Sequence, residues 1–164
     1  MIKEGSAIEK LSQLVVFALD EGLYALDLRI VERIVNAVEI TLLPESPDIV
    51  LGIINYHGRI IPAVNIRRRF HLPEREIQIT SRLIIADLLK RTVALVVDEV
   101  VGVVETPEEK IVKADSVLTG MDYIQGVMKM EDSMVLIHDL NKFLSLEEEK
   151  ILDTAIINNA KGSR

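Results

Sequence analysis

Three histidines are the only imidazoles of the chain, and their surroundings indicate whether they could bind a metal or move a proton. His57 precedes a glycine, His71 follows a phenylalanine, and His138 stands beside Asp139. None of them has a second histidine at the spacing of a helical zinc site. His138 and Asp139 are neighbours in a predicted strand, so their side chains point to opposite faces and do not predict a catalytic dyad. A polar strand end is the favoured interpretation of that pair.

Other groups that could support chemistry are absent or unsuitably spaced. The chain contains no cysteine, which excludes disulfides, thiolate metal sites and cysteine nucleophiles. Gly52 and Gly58 flank a predicted strand and turn, whereas a phosphate-binding loop would open a helix. Asp98 and Glu99 are adjacent carboxylates that a strand would separate, and they are typical of a strand end or turn. We therefore expect no enzyme activity, no metal and no cofactor.

One basic run and one hairpin tip remain as candidates for binding. Arg67–Arg69 has no interleaved aromatic residues and lies in an acidic chain, so a solvated helical turn is favoured over a nucleic-acid site. Tyr56, His57 and Arg59 crowd one predicted hairpin tip, and Arg33 interrupts an apolar segment. These groups have no evident role in a core. A partner-binding surface and a solvated tip are equally compatible with them.

Composition describes the body that must position these groups. The chain has 164 residues, of which 49% are hydrophobic and only 4% aromatic, so a mainly aliphatic core is expected. Its net charge of −7 argues against binding to a phosphate backbone, and no nucleic-acid partner is predicted. The longest apolar stretch, Thr92–Val104, is interrupted by Asp98 and Glu99 and is too short to span a membrane. Because the first residues also lack the apolar core of a signal peptide, a cytoplasmic location without direct membrane insertion is predicted.

Short apolar segments separated by turns predict an all-β chain that ends in a helix. The predicted strand segments are Gln13–Leu19, Leu23–Leu28, Ile53–Tyr56, Ile60–Val64, Arg82–Leu89, Thr92–Val97, Val100–Val104, Ile124–Met130 and Met134–His138. The segment Arg29–Ile40 fits both a helical face and a strand. Ser145 and Glu148 form a capping box before the predicted helix Leu146–Ile157.

The two halves of the chain resemble each other. Gly52–Asn65 aligns without a gap to Gly126–Asp139, and Tyr24–Leu28 aligns with Val93–Val97. Asn65 and Asp139 are both predicted to cap a short helical turn. Few residues are identical, so a chance likeness of two β patterns is the alternative. A true repeat predicts two similar small barrels, each too small to be very stable alone, packed through their apolar faces.

Several ordered motifs resemble those of the CheW family of chemotaxis adaptors. Tyr24–Asp27 matches a Tyr-x-Ile-Asp-like segment of the family. Gly52–Gly58 followed by Pro62–Arg67 resembles Gly-x-x-Asn-Leu-Arg-Gly followed by Pro-Val-x-Asp-Leu-Arg. Ala94–Val100 resembles Gly-Leu-Val-Val-Asp-x-Val, and Ile137–Leu140 resembles a C-terminal Leu-x-Asp-like pattern.

The resemblance covers residues 12–146 and implies two SH3-like five-stranded β-barrel subdomains packed around a shared hydrophobic core. The lobes would switch near residues 71–81, with a flexible tail at 1–11 and a helix with a frayed tail at 147–164.

The resemblance also implies a function, that of a non-enzymatic adaptor that couples chemoreceptor cytoplasmic tips to the regulatory domain of the histidine kinase CheA. A scaffold for a non-motility pathway, for example with a diguanylate cyclase output, is an alternative, and a small-barrel ligand or nucleic-acid binder is a weaker one.

The resemblance also implies where a receptor would bind. The family positions place the receptor side at Val31, Arg33, Ile34, Asn55, Tyr56, His57 and Gly58. Arg33 stands where the family often has Glu, and His57 stands where it usually has Arg. Because these exchanges would change electrostatic complementarity, we expect a divergent member tuned to its own receptor or pathway. The kinase side stays unassigned.

Overall fold

The computed structural model describes residues 10–113 and 123–162, and these ranges form eleven strands and two α-helices. The strands are β1 Leu11–Leu19, β2 Gly22–Asp27, β3 Val31–Asn36, β4 Val50–Tyr56, β5 Arg59–Val64, β6 Arg82–Asp87, β7 Thr92–Val97, β8 Glu99–Pro107, β9 Val112–Lys113, β10 Ile124–Met130 and β11 Ser133–His138. The helices are α1 Ile66–Arg69 and α2 Leu146–Gly162. Short 3-10 turns occupy Leu28–Ile30, Glu108–Lys110 and Leu140–Lys142.

The strands form two sheets, which we call the terminal sheet and the central sheet. The terminal sheet has the order β8-β1-β2-β11-β10-β9, and the central sheet has the order β3-β6-β7-β5-β4. This architecture confirms the prediction of a mostly β chain with two subdomains and a C-terminal helix. The ambiguous segment Arg29–Ile40 resolves into a 3-10 turn followed by the edge strand β3.

The predicted repeat is present, but the two sheets do not divide the chain near residues 71–81. The hairpin β6-β7 corresponds to β1-β2, while β8, β10 and β11 correspond to β3, β4 and β5. Each sheet combines the first hairpin of one repeat with the remaining strands of the other, and the terminal sheet also includes the short strand β9. β5 pairs in parallel with β7, and β11 pairs in parallel with β2. The predicted switch point is therefore wrong, because the chain crosses between the sheets after β2 and again after β7.

The buried apolar side chains of the described residues form three clusters. The largest lies between the sheets and combines side chains such as Phe17 and Leu26 of the terminal sheet with Ile84 and Leu95 of the central sheet. Each sheet also has one smaller cluster in its own interior. It lies around Ile54 and Ile85 in the central sheet and around Val16 and Val135 in the terminal sheet. The mainly aliphatic core that the composition predicts is present. Burial of this apolar surface makes the chief favourable contribution to the stability of the fold.

The C-terminal helix α2 begins with the predicted capping box. The backbone N–H of Glu148 donates to Ser145 Oγ at 3.0 Å, and the N–H of Ser145 donates to Glu148 Oε1 at 2.8 Å. Leu152 and Ala155 bury their side chains in the core between the sheets. The helix runs to Gly162, which is five residues beyond the predicted end at Ile157. Among the helices of the described residues, none is long and apolar enough to cross a bilayer.

Only part of the two predicted tails lies within the described residues. Residues 1–9 and 163–164 lie outside the described residues, so the expected flexibility of the first and last residues stays a prediction. Lys10 is described, and its carbonyl accepts a hydrogen bond from the N–H of Glu108 at 2.9 Å. Leu11 belongs to β1, so residue 11 is not part of a tail.

Candidate partner-binding surface

The edge strand β3 carries three of the residues predicted to face a receptor. Its outer edge is unpaired among the described strands, and its inner edge pairs antiparallel with β6. A bulge at Glu32 lies between the paired residues Val31 and Arg33. Val31 is half-buried against the main core, whereas the Ile34 side chain is 37% exposed. Arg33 is exposed and has no ion-pair or hydrogen-bond partner for its side chain in the described part of the chain.

The other four predicted residues form the β4–β5 turn. His57 has φ 52° and Gly58 has φ 81°, the left-handed conformations that a two-residue hairpin turn requires. The side-chain oxygen of Asn55 accepts a hydrogen bond from the N–H of Gly58 at 2.9 Å and fixes the turn. The exposed ring of His57 packs edge-on against Tyr56, with 4.4 Å between ring centroids.

The Tyr56 side chain is less exposed than its position at a predicted hairpin tip indicates. Its side chain is buried and belongs to the interior cluster of the central sheet, beside Ile54 and Ile61. The prediction that it has no role in the core is therefore wrong. It supports the turn from below, and the exposed groups of the tip are His57, Gly58 and Asn55.

Arg59 joins the two groups of predicted residues across one end of the central sheet. Its Nη1 lies 3.2 Å from both carboxylate oxygens of Glu32 on β3. Its Nη2 donates to Thr92 Oγ1 at 2.8 Å and lies 3.8 Å from Asp87 Oδ1. These partners lie at the start of β3, the end of β6 and the start of β7. The structure therefore brings β3 and the β4–β5 turn to one surface, although they belong to opposite edges of the sheet.

The chemistry of this surface suits a protein partner. Ile34 and Ile60 expose apolar side chains, the latter by 56%, while Arg33 supplies an unpaired positive charge. Arg59 is neutralised locally by Glu32 and Asp87. A surface of this kind matches a partner that offers apolar side chains and an acidic group. Among the described residues, no cluster of three His, Cys, Asp or Glu side chains could hold a metal ion.

At the opposite end of the central sheet, Arg67 makes a set of contacts that sequence reasoning missed. Its side chain is only 6% exposed, and its guanidinium donates to Asp20 Oδ2 at 2.7 Å and to Asp98 Oδ2 at 2.6 Å. Arg75 lies 2.9 Å from the same Asp98 oxygen. The hydrogen bond from Arg67 holds the pKa of the Asp20 carboxyl below its usual value.

The basic run therefore does not form the solvated turn that was predicted. Arg69 also pairs with Glu148 at 2.7 Å, and of the three arginines only Arg68 is exposed, with 38% of its side chain accessible to solvent. The available signal for Arg67 was its place at the end of the motif Pro62–Arg67. Asp98 does lie at a strand end, as its pattern indicates, and it also accepts the N–H of Asp20 at 2.7 Å.

His138 is the second position that the sequence pattern described incompletely. It ends β11 as predicted, but its side chain is buried and surrounded by aromatic rings. The next residue, Asp139, caps the following 3-10 turn by accepting the N–H of Asn141 at 3.1 Å. The two side chains have separate roles, in agreement with the prediction that they form no dyad.

Comparison with known proteins gives one consistent result. The family model described as the CheW-like domain matches residues 13–148. The chemotaxis protein CheW of Treponema pallidum is 30% identical over 142 residues, which cover 83% of this chain and 84% of that protein. The chemotaxis protein CheW of Bacillus subtilis is 29% identical over 140 residues, covering 84% and 90% of the two chains.

A solved structure shares the same architecture. The crystal structure of a scaffolding protein CheW from Thermoanaerobacter tengcongensis superposes with a TM-score of 0.77 at 34% sequence identity. The likeness covers 85% of this chain and 96% of that one. The matched length therefore includes both sheets.

Proposed function

Because the chain belongs to the CheW-like domain family, we propose that it couples the cytoplasmic tip of a chemoreceptor to the regulatory domain of a CheA-type histidine kinase. It has the adaptor or scaffold role in chemotaxis that the names of its relatives describe. The observation that carries this conclusion is the family match over residues 13–148. We further propose that the protein works in the cytoplasm and has no catalytic activity of its own.

The receptor side of the proposal is the surface formed by β3 and the β4–β5 turn. Arg33 is exposed and unpaired among the described residues, and Ile34 beside it is partly exposed. The turn is held rigidly by Asn55, so little conformational entropy is lost when a partner binds to it. These features support a receptor segment that places an acidic group near Arg33 and an apolar side chain on Ile34.

The test measures binding of the full-length chain to a CheA regulatory domain and to a receptor-tip fragment, separately and together, by calorimetry. Arg33→Glu reverses the free charge and is expected to weaken receptor binding about tenfold, with kinase binding unchanged. The matched control is Lys129→Glu, an equal charge reversal on an exposed residue of β10 in the terminal sheet. It is expected to change receptor binding less than about twofold.

The outcomes distinguish the proposed adaptor role from the proposed location of the receptor-binding surface. Binding to neither partner would contradict the adaptor proposal. Binding to both partners with equal effects of Arg33→Glu and Lys129→Glu would retain the adaptor role and contradict the assignment of the receptor surface.

A further inference from the structure

His138 stands at the centre of almost all the aromatic side chains of the chain. The sequence contains three phenylalanines and three tyrosines, and every phenylalanine and one tyrosine lie against this imidazole. The centroid distances from the His138 ring are 4.8 Å to Phe70, 5.3 Å to Tyr24, 5.9 Å to Phe143 and 6.0 Å to Phe17. Tyr123 extends the group by packing on Phe70 and Phe143. We call these six residues the His138 cluster.

The cluster lies where separate parts of the chain meet. Phe17 and Tyr24 belong to the N-terminal hairpin of the terminal sheet. Phe70 is the C-terminal capping residue of the helical turn α1, which follows β5 of the central sheet. Phe143 belongs to the segment between β11 and the helix α2. The rings around His138 therefore hold the terminal sheet, α1 and the C-terminal segment together.

The imidazole is buried without polar compensation. Its side chain is 1% exposed, and neither ring nitrogen has a hydrogen-bond partner among the described residues. A neutral imidazole tolerates such a site at a moderate cost, but an imidazolium would lose its hydration without gaining a counter-ion. Burial accordingly lowers the pKa of His138 to about 3.

The ionisable groups of the surrounding elements do not supply a counter-ion. β1 contains no titratable residue, and in β2 the pKa of Tyr24 is raised by burial while Asp27 pairs with Arg29. Asp139 uses its carboxylate to cap the next turn. The guanidinium of Arg69 lies 5.9 Å from the centroid of Phe143 and is paired with Glu148 of α2 at 2.7 Å. The Asp20 carboxylate, whose charge also raises the pKa of Tyr24, is paired with Arg67 at 2.7 Å.

Three elements, α1, the 3-10 turn after β11 and β10, also contribute ionisable groups, and none of these is a carboxylate. α1 also carries Arg67 and Arg68, which are paired with carboxylates elsewhere. The 3-10 turn after β11 carries Lys142, and β10 carries Lys129; both are exposed. The carboxylates close to the cluster, Asp20 and Glu148, are already paired with arginines, so a charged imidazole would find no free counter-ion.

We propose that the His138 cluster is an acid-sensitive latch that holds α1 and the C-terminal segment against the N-terminal hairpin. Uptake of one proton by the imidazole requires the cluster to open, because the charge must reach water. The latch is closed at neutral pH, where the ring is neutral, and it is weakened by mild acidification.

The sign of the pH dependence follows from proton linkage. The pKa of the folded state lies below the ordinary histidine value of 6.5, so the open state binds the proton more tightly. The neutral His138 ring makes its full contribution to the free energy of folding above about pH 6.5, and this contribution is lost as the pH falls towards about 3. The equilibrium constant for closure should fall about tenfold for each pH unit in this window.

The experiment compares the full chain with His138→Phe, which keeps an aromatic ring and removes the titration. Denaturant unfolding at pH 7.5, 6.0 and 5.0 gives the folding equilibrium constant at each pH. Between pH 6.0 and 5.0 the wild-type constant should fall by about tenfold more than that of His138→Phe. His57→Gln and His71→Gln change the two exposed histidines and should retain the wild-type pH dependence. Identical pH dependence in wild type and His138→Phe would overturn the latch.

A measurement on the unmodified protein keeps the proposal testable if His138→Phe does not fold. Histidine ring resonances in the folded wild-type protein should show a neutral His138 at pH 5, and a charged His138 in an intact fold would overturn the proposal. Hydrogen-exchange protection factors should decrease on acidification in α1 and in residues 140–145 before they decrease in the β6-β7 hairpin. A simultaneous decrease would also overturn the latch, because it would indicate global unfolding alone.

Discussion

The guanidinium of Arg67 joins three parts of the chain that are far apart in sequence. It contacts Asp20 in the β1–β2 turn and Asp98 between β7 and β8, and it also donates to the carbonyl of Pro73 at 3.0 Å. A buried guanidinium needs such partners, because an unpaired charge in the interior costs several kcal/mol. The planar fork of arginine can satisfy several acceptors at once, which lysine cannot do. Arg67 is therefore expected to be a stability residue rather than a binding residue.

Replacement of Arg67 should measure this role. Arg67→Met keeps much of the side-chain volume but leaves Asp98 without its closest cation, and it should lower the free energy of unfolding by about 2–3 kcal/mol. Arg68→Met, one residue further along α1, removes an exposed pair with Glu74 and should cost less than about 1 kcal/mol. Urea unfolding of both variants at pH 7 checks the difference, and equal losses would show that the Arg67 contacts are not stabilising.

At the level of single residues, sequence reasoning identifies residue types better than environments. It found the β4–β5 turn because Gly58 needs a left-handed backbone that the sequence itself signals. It misjudged Arg67 and Tyr56 because burial depends on which distant strands meet. The same limit applies to His138, whose four aromatic neighbours come from three separate segments: the β1-β2 hairpin, the end of α1 and the segment before α2.

At the level of elements, equivalent glycines mark equivalent bulges in the two repeats. The pairing of β4 with β5 shifts register between Val50 and Gly52, and that of β10 with β11 shifts between Ile124 and Gly126. A Cβ on Gly52 would collide with the backbone carbonyl of Thr41, and one on Gly126 would lie 2.9 Å from the carbonyl oxygen of Val112. Both glycines thus allow a neighbouring backbone to approach the bulged strand closely.

Three glycine-to-alanine substitutions should rank by the space at each site. Gly52→Ala meets immovable backbone and should cost more than about 3 kcal/mol, with Gly126→Ala next, at about 1–3 kcal/mol. Gly58→Ala has open space around its new methyl group but a φ of 81°, so it should cost only about 1–2 kcal/mol. Thermal and urea unfolding give the three values. A larger loss for Gly58→Ala than for Gly52→Ala would contradict the assignment of the close approach.

Element types were predictable where a local signal was strong. The capping box of Ser145 and Glu148 located the start of α2, and Asn65 and Asp139 both cap the turns that were expected of them. Arg29–Ile40 was ambiguous because β3 is an edge strand whose exposure does not alternate regularly. The end of α2 was placed too early because Asn158 and Asn159, a residue type that often ends helices, lie inside the helix, which continues to Gly162.

At the level of the whole molecule, short connections explain why the repeats exchange strands. Asp98 alone separates β7 from β8. If β8 paired with β6, as β3 does, residue 100 would lie opposite Ala86 while Val97 stays opposite Arg82. That placement needs a span of about 16 Å, from strand spacings of about 4.8 Å and a rise of about 3.3 Å per residue. Three Cα steps reach at most about 11 Å.

The short connection between β7 and β8 therefore imposes the exchange of strands, and β8 must continue into the terminal sheet beside β1. The connection from β2 to β3 consists of Leu28–Ile30, which is compacted into a 3-10 turn. The repeat could be predicted from the sequence, but these distances emerge only when the strand pairing is known. Two adjacent halves that look like independent barrels are thus one interdependent structure.

Cutting the chain in its polar connector should expose this interdependence. Residues 1–76 retain β3 and the β4-β5 hairpin but lose β6 and β7, the strands that join them in the central sheet. Residues 77–164 keep the β6-β7 hairpin but lack β1, the strand with which β8 pairs. Each half expressed alone should lack a cooperative unfolding transition, because its strands leave long unpaired edges and an open core.

Co-expression of the two halves should restore the fold, because every strand pairing of both sheets is then available again. Size-exclusion chromatography should show a one-to-one complex with the elution volume of the intact chain, and circular dichroism should show one shared unfolding transition. The intact chain with a protease site inserted between residues 76 and 77 is the matched control, since it folds before it is cut. A half that is monomeric and unfolds cooperatively by itself would show that the strand exchange is not required, and that a repeat can close on its own strands despite its short connection.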